Sequence, residues 1–132
     1  QEYQMFIQTL REFLTKQQPK IVELHVVFND EVSFYDEHLY EIKRSDLIKM
    51  IDRKLLFNHP VYVDSVTIAP LLSIAPTSIF LYCQDREKPL IRTIENIFEE
   101  RINLKPISHF NELFQNKCKD LETEFNKRLD FL

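Results

Sequence analysis

The sequence predicts an α+β fold: a mostly antiparallel sheet of about four strands covered by helices, with long amphipathic helices at both ends. Three observations predict this fold. Apolar side chains alternate along residues 21–28, a continuous apolar run of strand length occupies residues 78–83, and both terminal segments repeat apolar residues at steps of three and four. With 132 residues, 44% of them apolar and 29% charged, the chain has the composition of one globular domain.

The first helix is predicted from residue 2 to about residue 16. Pro19 ends it, because the residue before a proline is displaced from helical backbone angles. This helix either packs on the sheet or continues upstream as a coiled coil. Its apolar stripe consists of Tyr3, Phe6, Leu10, Phe13 and Leu14.

A β-hairpin is predicted next, beginning with the alternating segment described above. The even-numbered residues of that strand are apolar and share one face, whereas the other face is mixed and carries His25. Residues 29–30 are an Asn-Asp pair, which is typical of turns. The second strand is expected from Val32 to about Tyr40, and the turn places His25 opposite about Tyr35.

The middle of the chain predicts one helix and two more strands. The helix is expected to start at an N-cap formed by Ser45, and residues 61–69 to form a β-branched third strand. Residues 70–77 fit a strand, a helical turn or a buried loop. The continuous apolar run at 78–83 indicates a central strand that is covered on both faces. The buried stripe of the helix is expected to comprise Leu47, Ile48, Ile51 and Leu55.

Two helices are predicted at the C-terminal end. Pro89 is well suited to the first position of the earlier one, whose apolar stripe is expected to extend to Ile102. Ser108 is the expected cap of the last helix, from His109 to about Phe131. That order of elements also accommodates a β-grasp core with appended helices, or a Roadblock- or profilin-like arrangement with the first helix beside the last ones.

The last helix carries an apolar stripe with heptad spacing. Phe110, Leu113 and Leu129 widen it at its ends. This helix either lies along its own domain or projects and pairs with another helix, in a dimer or in a different protein. The stripe consists of Phe114, Cys118, Leu121, Phe125, Arg128 and Leu132, with one charged interruption.

Residues 1–132 are predicted to form a single domain. Within it, residues 1–19 supply the N-terminal helix, residues 20–85 the sheet with one helix, and residues 86–132 the C-terminal helices. The chain starts at Gln1 within a helical pattern, so we expect a domain excised from a longer protein. Two cysteines without metal or redox spacing, and no apolar run of membrane-spanning length, predict a cytoplasmic or nuclear location without membrane association.

The composition excludes several chemistries. The chain has no glycine, so a Walker-type phosphate loop, a dinucleotide fingerprint and a G-x-S-x-G nucleophile elbow are all absent. The histidines and cysteines lack the spacing of a metal site. We therefore predict no catalytic residue, no metal and no cofactor. The net charge of −4 provides no general attraction for nucleic acid.

The resulting functional hypothesis is a non-catalytic interaction or assembly domain of a larger intracellular protein. Its amphipathic helices would bind a protein partner or a second copy of the chain. One alternative is a small-molecule-sensing domain or small enzyme with a pocket between sheet and helices. Another is a nucleic-acid-binding module that uses the helix with Lys49, Arg53 and Lys54. The predicted partner-binding residues are Phe110, Phe114, Leu121, Phe125 and Leu129.

Overall fold

The computed structural model of the protein describes residues 2–58 and 64–129. It confirms the α+β class, with a four-stranded sheet in the described part of the chain. The elements, in order, are α1 (Glu2–Thr15), β1 (Glu23–Phe28), β2 (Val32–Tyr35), α2 (Arg44–Met50), α3 (Arg53–Asn58), α4 (Ile68–Ile74), β3 (Ser78–Tyr82), α5 (Pro89–Phe98), a 3₁₀ turn (Glu99–Arg101), β4 (Ile102–Lys105) and α6 (Ile107–Leu129).

The sheet has the strand order β2-β1-β3-β4 and is mixed rather than mostly antiparallel as predicted. Only the β1–β2 hairpin is antiparallel among the described strands, because helices connect β2 to β3 and β3 to β4. His25 pairs with Tyr35, as predicted. The second strand ends at Tyr35, five residues earlier than predicted, since Asp36 accepts turn hydrogen bonds from the backbone N–H groups of His38 and Tyr40.

The main core lies between one face of the sheet and helices α1, α4 and α5. Leu24 and Val26 of β1 and Ile79 and Leu81 of β3 are fully buried in it. The central position predicted for residues 78–83 is confirmed for β3, which pairs with β1 on one side and β4 on the other. The opposite face of the sheet is covered by the start of α6, in a second and smaller cluster.

The helix predicted after Ser45 is divided into α2 and α3. Asp52 causes the division: its backbone N–H donates to the buried hydroxyl of Ser73, and its carboxylate accepts the N–H of Lys54, both at 2.9 Å. The cap position of α2 is Lys43, so Ser45 lies inside the helix. Ile48, predicted to be buried, is exposed because the second helix no longer continues its stripe.

The prediction of a third strand at 61–69 is wrong for residues 64–69, which the structure describes. Residues 61–63 lie outside the described residues, residues 65–67 form a turn, and α4 begins at Ile68. Every residue of α4 is buried, and a short segment that is apolar on all sides has no periodicity to distinguish a helix from a strand. α4 continues to Ile74, so most of the segment 70–77, for which the sequence allowed a strand, a helical turn or a loop, is helical.

Pro89 begins α5, as predicted, but Ile102 belongs to β4 rather than to the helix. The four-residue strand β4 was missed because it continues the apolar spacing of α5. The last helix begins at Ile107, directly after Pro106, so Ser108 lies within it. Residues 130–132, which include the predicted helix end at Phe131, lie outside the described residues.

Glu99 is strained in a chain that has no glycine. Its φ of 48° and ψ of −117° lie in a region that glycine alone enters readily. The strain is tolerated where α5 must turn sharply into β4. The Glu99 carboxylate lies on the surface, 3.3 Å from Nε of Arg11, and such exposed pairs contribute little.

Glu99→Gly is therefore expected to raise the free energy of unfolding by about 1 kcal/mol, measured by urea denaturation. The matched control is Glu99→Ala, which also removes the carboxylate but keeps the Cβ atom that causes the strain. The alanine variant should show no gain. An equal gain in both variants would attribute the effect to the carboxylate and contradict the prediction.

Candidate interaction surface

Helix α6 contacts the domain through its first three turns, from Ile107 to Lys117. Ile107 and Phe110 are buried on the second face of the sheet. The Phe110 ring lies 4.8 Å from the ring of Tyr35 and 5.1 Å from that of Tyr82, measured between centroids. Aromatic pairs at these separations contribute beyond their buried area. Phe110 is thus the main anchor of α6.

Beneath this anchor lies a chain of two hydrogen bonds, one buried and one partly buried. His25 Nε2 lies 2.9 Å from the Glu23 carboxylate, and His25 Nδ1 lies 2.9 Å from the Tyr82 hydroxyl. A carboxylate can only accept, so a neutral His25 donates to Glu23 and accepts from Tyr82. Burial, and to a lesser degree the charge of Glu23, raises the pKa of Tyr82 to about 12. The buried side chains of His25 and Tyr82, on the face that supports α6, are therefore both hydrogen-bonded.

Beyond the anchor, α6 projects from the domain. Residues 118–129 are all exposed, although the apolar stripe of the buried turns continues along them at the same helical spacing. Exposed apolar residues in a contiguous row are typical of interaction surfaces. The exposed fractions are 39% for Phe114, 47% for Leu121, 61% for Phe125 and 48% for Leu129.

A groove lies where α6 leaves the sheet. It encloses about 250 Å³ between Tyr35 of β2 and the first exposed turn of α6. Next to it, the Lys117 ammonium lies 3.4 Å from the centre of the Tyr40 ring, a cation–π contact that holds the helix at the edge of the domain. The residues lining the groove are Tyr35, Phe110, Asn111, Phe114 and Gln115.

The structure places four of the five predicted binding residues on one exposed stripe: Phe114, Leu121, Phe125 and Leu129. The fifth, Phe110, is buried under the same helix and supports the stripe. Tyr35, Asn111 and Gln115 were not predicted as site residues. The amphipathic pattern of α6 does not reveal them, since the groove exists only because β2 lies beside the helix.

Two other cavities give weaker evidence of a binding site. An open cavity of about 580 Å³ lies beside Lys20 and Met50, and a smaller one of about 180 Å³ lies beside Cys83. Every deeply buried side-chain nitrogen or oxygen in the described part of the chain has a hydrogen-bond partner, so neither cavity presents one that a ligand would satisfy. Burial raises the pKa of the Cys83 thiol, which weakens it as a nucleophile.

The basic cluster predicted on one helix is divided between two. Lys49 lies in α2, whereas Arg53 and Lys54 lie in α3 beyond the break. Over residues 2–58 and 64–129, no group of three or more histidines, cysteines or carboxylates lies close enough to hold a metal ion. No helix in those ranges has the length and apolar character needed to cross a membrane.

Comparison with known proteins gives one family. The "Uncharacterized protein YtxC" of Bacillus subtilis (strain 168) is 39% identical to this chain over 112 residues. The match covers 85% of the chain and 39% of that relative, so the chain spans about two fifths of the relative's length. No solved structure matches. Residues 1–103 match the YtxC-like family, a range that ends in β4 and precedes α6. The chain therefore belongs to the YtxC-like family.

Proposed function

We propose that this chain is a non-catalytic protein–protein interaction or assembly domain that binds through the exposed stripe of α6. The observation that carries the proposal is the uncovered continuation of the stripe in residues 114–129, on a helix whose first turns are anchored by the buried Ile107 and Phe110. A helix held rigidly at one end presents its apolar face without the entropic cost of ordering it on binding.

The chemistry of the stripe supports this role. Amphipathic helices bind grooves or other helices through apolar residues spaced three and four positions apart. The residues with this spacing on α6 are Phe114, Cys118, Leu121 and Phe125. Aromatic residues at the centre of an interface contribute much of the binding energy. Phe125 is the most exposed of the large apolar residues of α6, so it is the residue to test.

Phe125→Asp is expected to weaken any complex formed by α6 by about tenfold or more, because it places a charge within the buried part of the interface. The measurement is quantitative affinity purification of the tagged, crosslinked chain from its native host, combined with sedimentation velocity of the pure protein. The affinity purification detects binding to a different protein, and the sedimentation velocity detects binding between copies of this chain.

The matched control is Asn116→Asp, which introduces the same charge on α6. Residue 116 is exposed and lies about 200° around the helix from Phe114, so it faces away from the stripe. This variant should behave as wild type. If Phe125→Asp also behaves as wild type in both assays, the proposed function is wrong.

A further inference from the structure

We propose that the exposed stripe of α6 binds the same stripe of a second copy of this chain, with the two helices antiparallel. The inference rests on the proposed function and names its partner. Three observations on α6 support it: the order of large and small residues along the stripe, the positions of its charges, and the groove at its base. They define one register of pairing.

When two copies of the helix run antiparallel, the apolar residues of one stripe lie beside apolar residues of the other. When Cys118 lies beside Leu121 of the second copy, moving four residues back along one helix and four forward along the other brings Phe114 beside Phe125. The two-fold axis repeats both contacts. Each helix thus contributes two aromatic rings at the ends of the interface and two smaller side chains at its centre.

Charge complementarity favours this register. Lys117 and Glu124 flank the stripe on the same side, two helical turns apart. In an antiparallel pair the same flanks of the two helices face each other, so each Lys117 lies near Glu124 of the other copy. Two favourable pairs result from a single two-fold axis.

Arg128, the charged residue within the stripe, distinguishes antiparallel from parallel pairing. In the antiparallel register it lies beside Asn111 of the second copy, a polar residue at the rim of the groove. A parallel two-fold pair would instead place Arg128 beside Arg128, two like charges at one level of the core. The parallel pair would also bring both folded domains to the same end of the helices.

The groove accommodates the end of the second helix. Leu129 lies on the same flank of the stripe as Asn111 and Gln115, which line the groove, so the register brings Leu129 of the second copy to the edge of the groove of about 250 Å³ beside Tyr35. An apolar side chain there would cover the exposed edge of the Tyr35 ring. The same helix pairing thus covers the stripe and brings an apolar side chain to the groove.

The interface is small. Residues 111–129 span about 28 Å of helix, and a single helix pair of this length lies near the lower limit of about 1,200 Å² for stable interfaces. We therefore expect a reversible dimer with a dissociation constant in the micromolar range, on the order of 10 μM. Dimerisation should depend visibly on protein concentration.

The test is sedimentation velocity across a concentration series, with circular dichroism to confirm that each variant is folded. Lys117→Glu and Glu124→Lys should each weaken the dimer about tenfold, because each creates two like-charge contacts across the axis. The double variant restores opposite charges and should regain most of the wild-type affinity. Asn116→Asp serves as the charge control and should have no effect.

The outcomes separate this inference from the proposed function. A wild-type chain that stays monomeric at all concentrations overturns self-pairing. The proposed function still stands if a different protein is then captured in a Phe125-dependent manner, and fails if none is. A dimer that is weakened by the single charge variants but not rescued by the double variant overturns the antiparallel register.

Discussion

Phe110→Ala should lower the free energy of unfolding by about 3–4 kcal/mol, measured by urea denaturation. Phe110 is buried, and its ring packs against Tyr35 and Tyr82 where α6 crosses the sheet. Removing the ring leaves a cavity in the small second cluster, where few neighbouring side chains are available to refill it. The loss should also release the first turns of α6, which hydrogen exchange would detect as faster amide exchange in residues 107–114.

The matched control is Phe125→Ala, the same substitution in the same helix. Phe125 is mostly exposed, so this variant should change the free energy of unfolding of the monomer by less than about 0.5 kcal/mol. Both variants are measured at a protein concentration low enough to keep the wild type monomeric. Equal losses in the two variants would mean that the distal half of α6 is covered by its own domain, contrary to the structure.

The hairpin and the central strand could be predicted because their sequence signals are local. The alternation of apolar residues, together with an Asn-Asp turn, specifies the faces and register of a hairpin, and the pairing of His25 with Tyr35 followed from counting outward from that turn. A continuous apolar run identified β3 as a central strand, because both of its faces need covering.

The helix α4 and the strand β4 were not predicted, because the periodicity of their residues does not distinguish them from other elements. α4 is buried on every side, so it lacks the polar face that distinguishes a helix from a strand. β4 follows α5 with apolar spacing that continues the helical stripe, and the strained residue Glu99 that separates them is an ordinary glutamate in sequence. The parallel pairings depend on how the helical connections cross the sheet, which the periodicity of single segments does not encode.

The same distinction applies to the candidate surface. The stripe of α6 is a local pattern, and the predicted stripe residues up to Leu129, where the described part of the helix ends, lie on one helical face. The boundary between its buried and exposed parts lies between Phe110 and Phe114, and the sequence holds no signal for it. Phe110 packs against Tyr82 of the internal strand β3, whereas Phe114 lies beside Tyr35 of the edge strand β2, where the sheet ends. The absence of glycine likewise did not exclude positive φ angles, which Leu39, Ala75 and Glu99 adopt.

The buried support of α6 should also make the protein sensitive to alkaline pH. Tyr82 has a pKa raised from 10.0 to about 12 in the folded chain, so between these values the folded state retains a proton that the unfolded state has released. Stability therefore falls as the pH rises through this window, and the full contribution is present below pH 10. A shift of this size corresponds to at most about 3 kcal/mol.

Tyr82→Phe isolates this contribution, because the half-buried Tyr35, whose pKa burial also raises, is present in both proteins. At neutral pH the variant should be less stable by about 1–3 kcal/mol, since Nδ1 of His25 loses its donor in a buried position. The difference between wild type and variant should shrink by up to about 3 kcal/mol between pH 10 and pH 12. Tyr40→Phe makes the same chemical change at an exposed tyrosine and should follow the wild-type profile in urea denaturation. A constant difference between wild type and Tyr82→Phe across this range would show that the Tyr82 hydroxyl ionises equally in the folded and unfolded states.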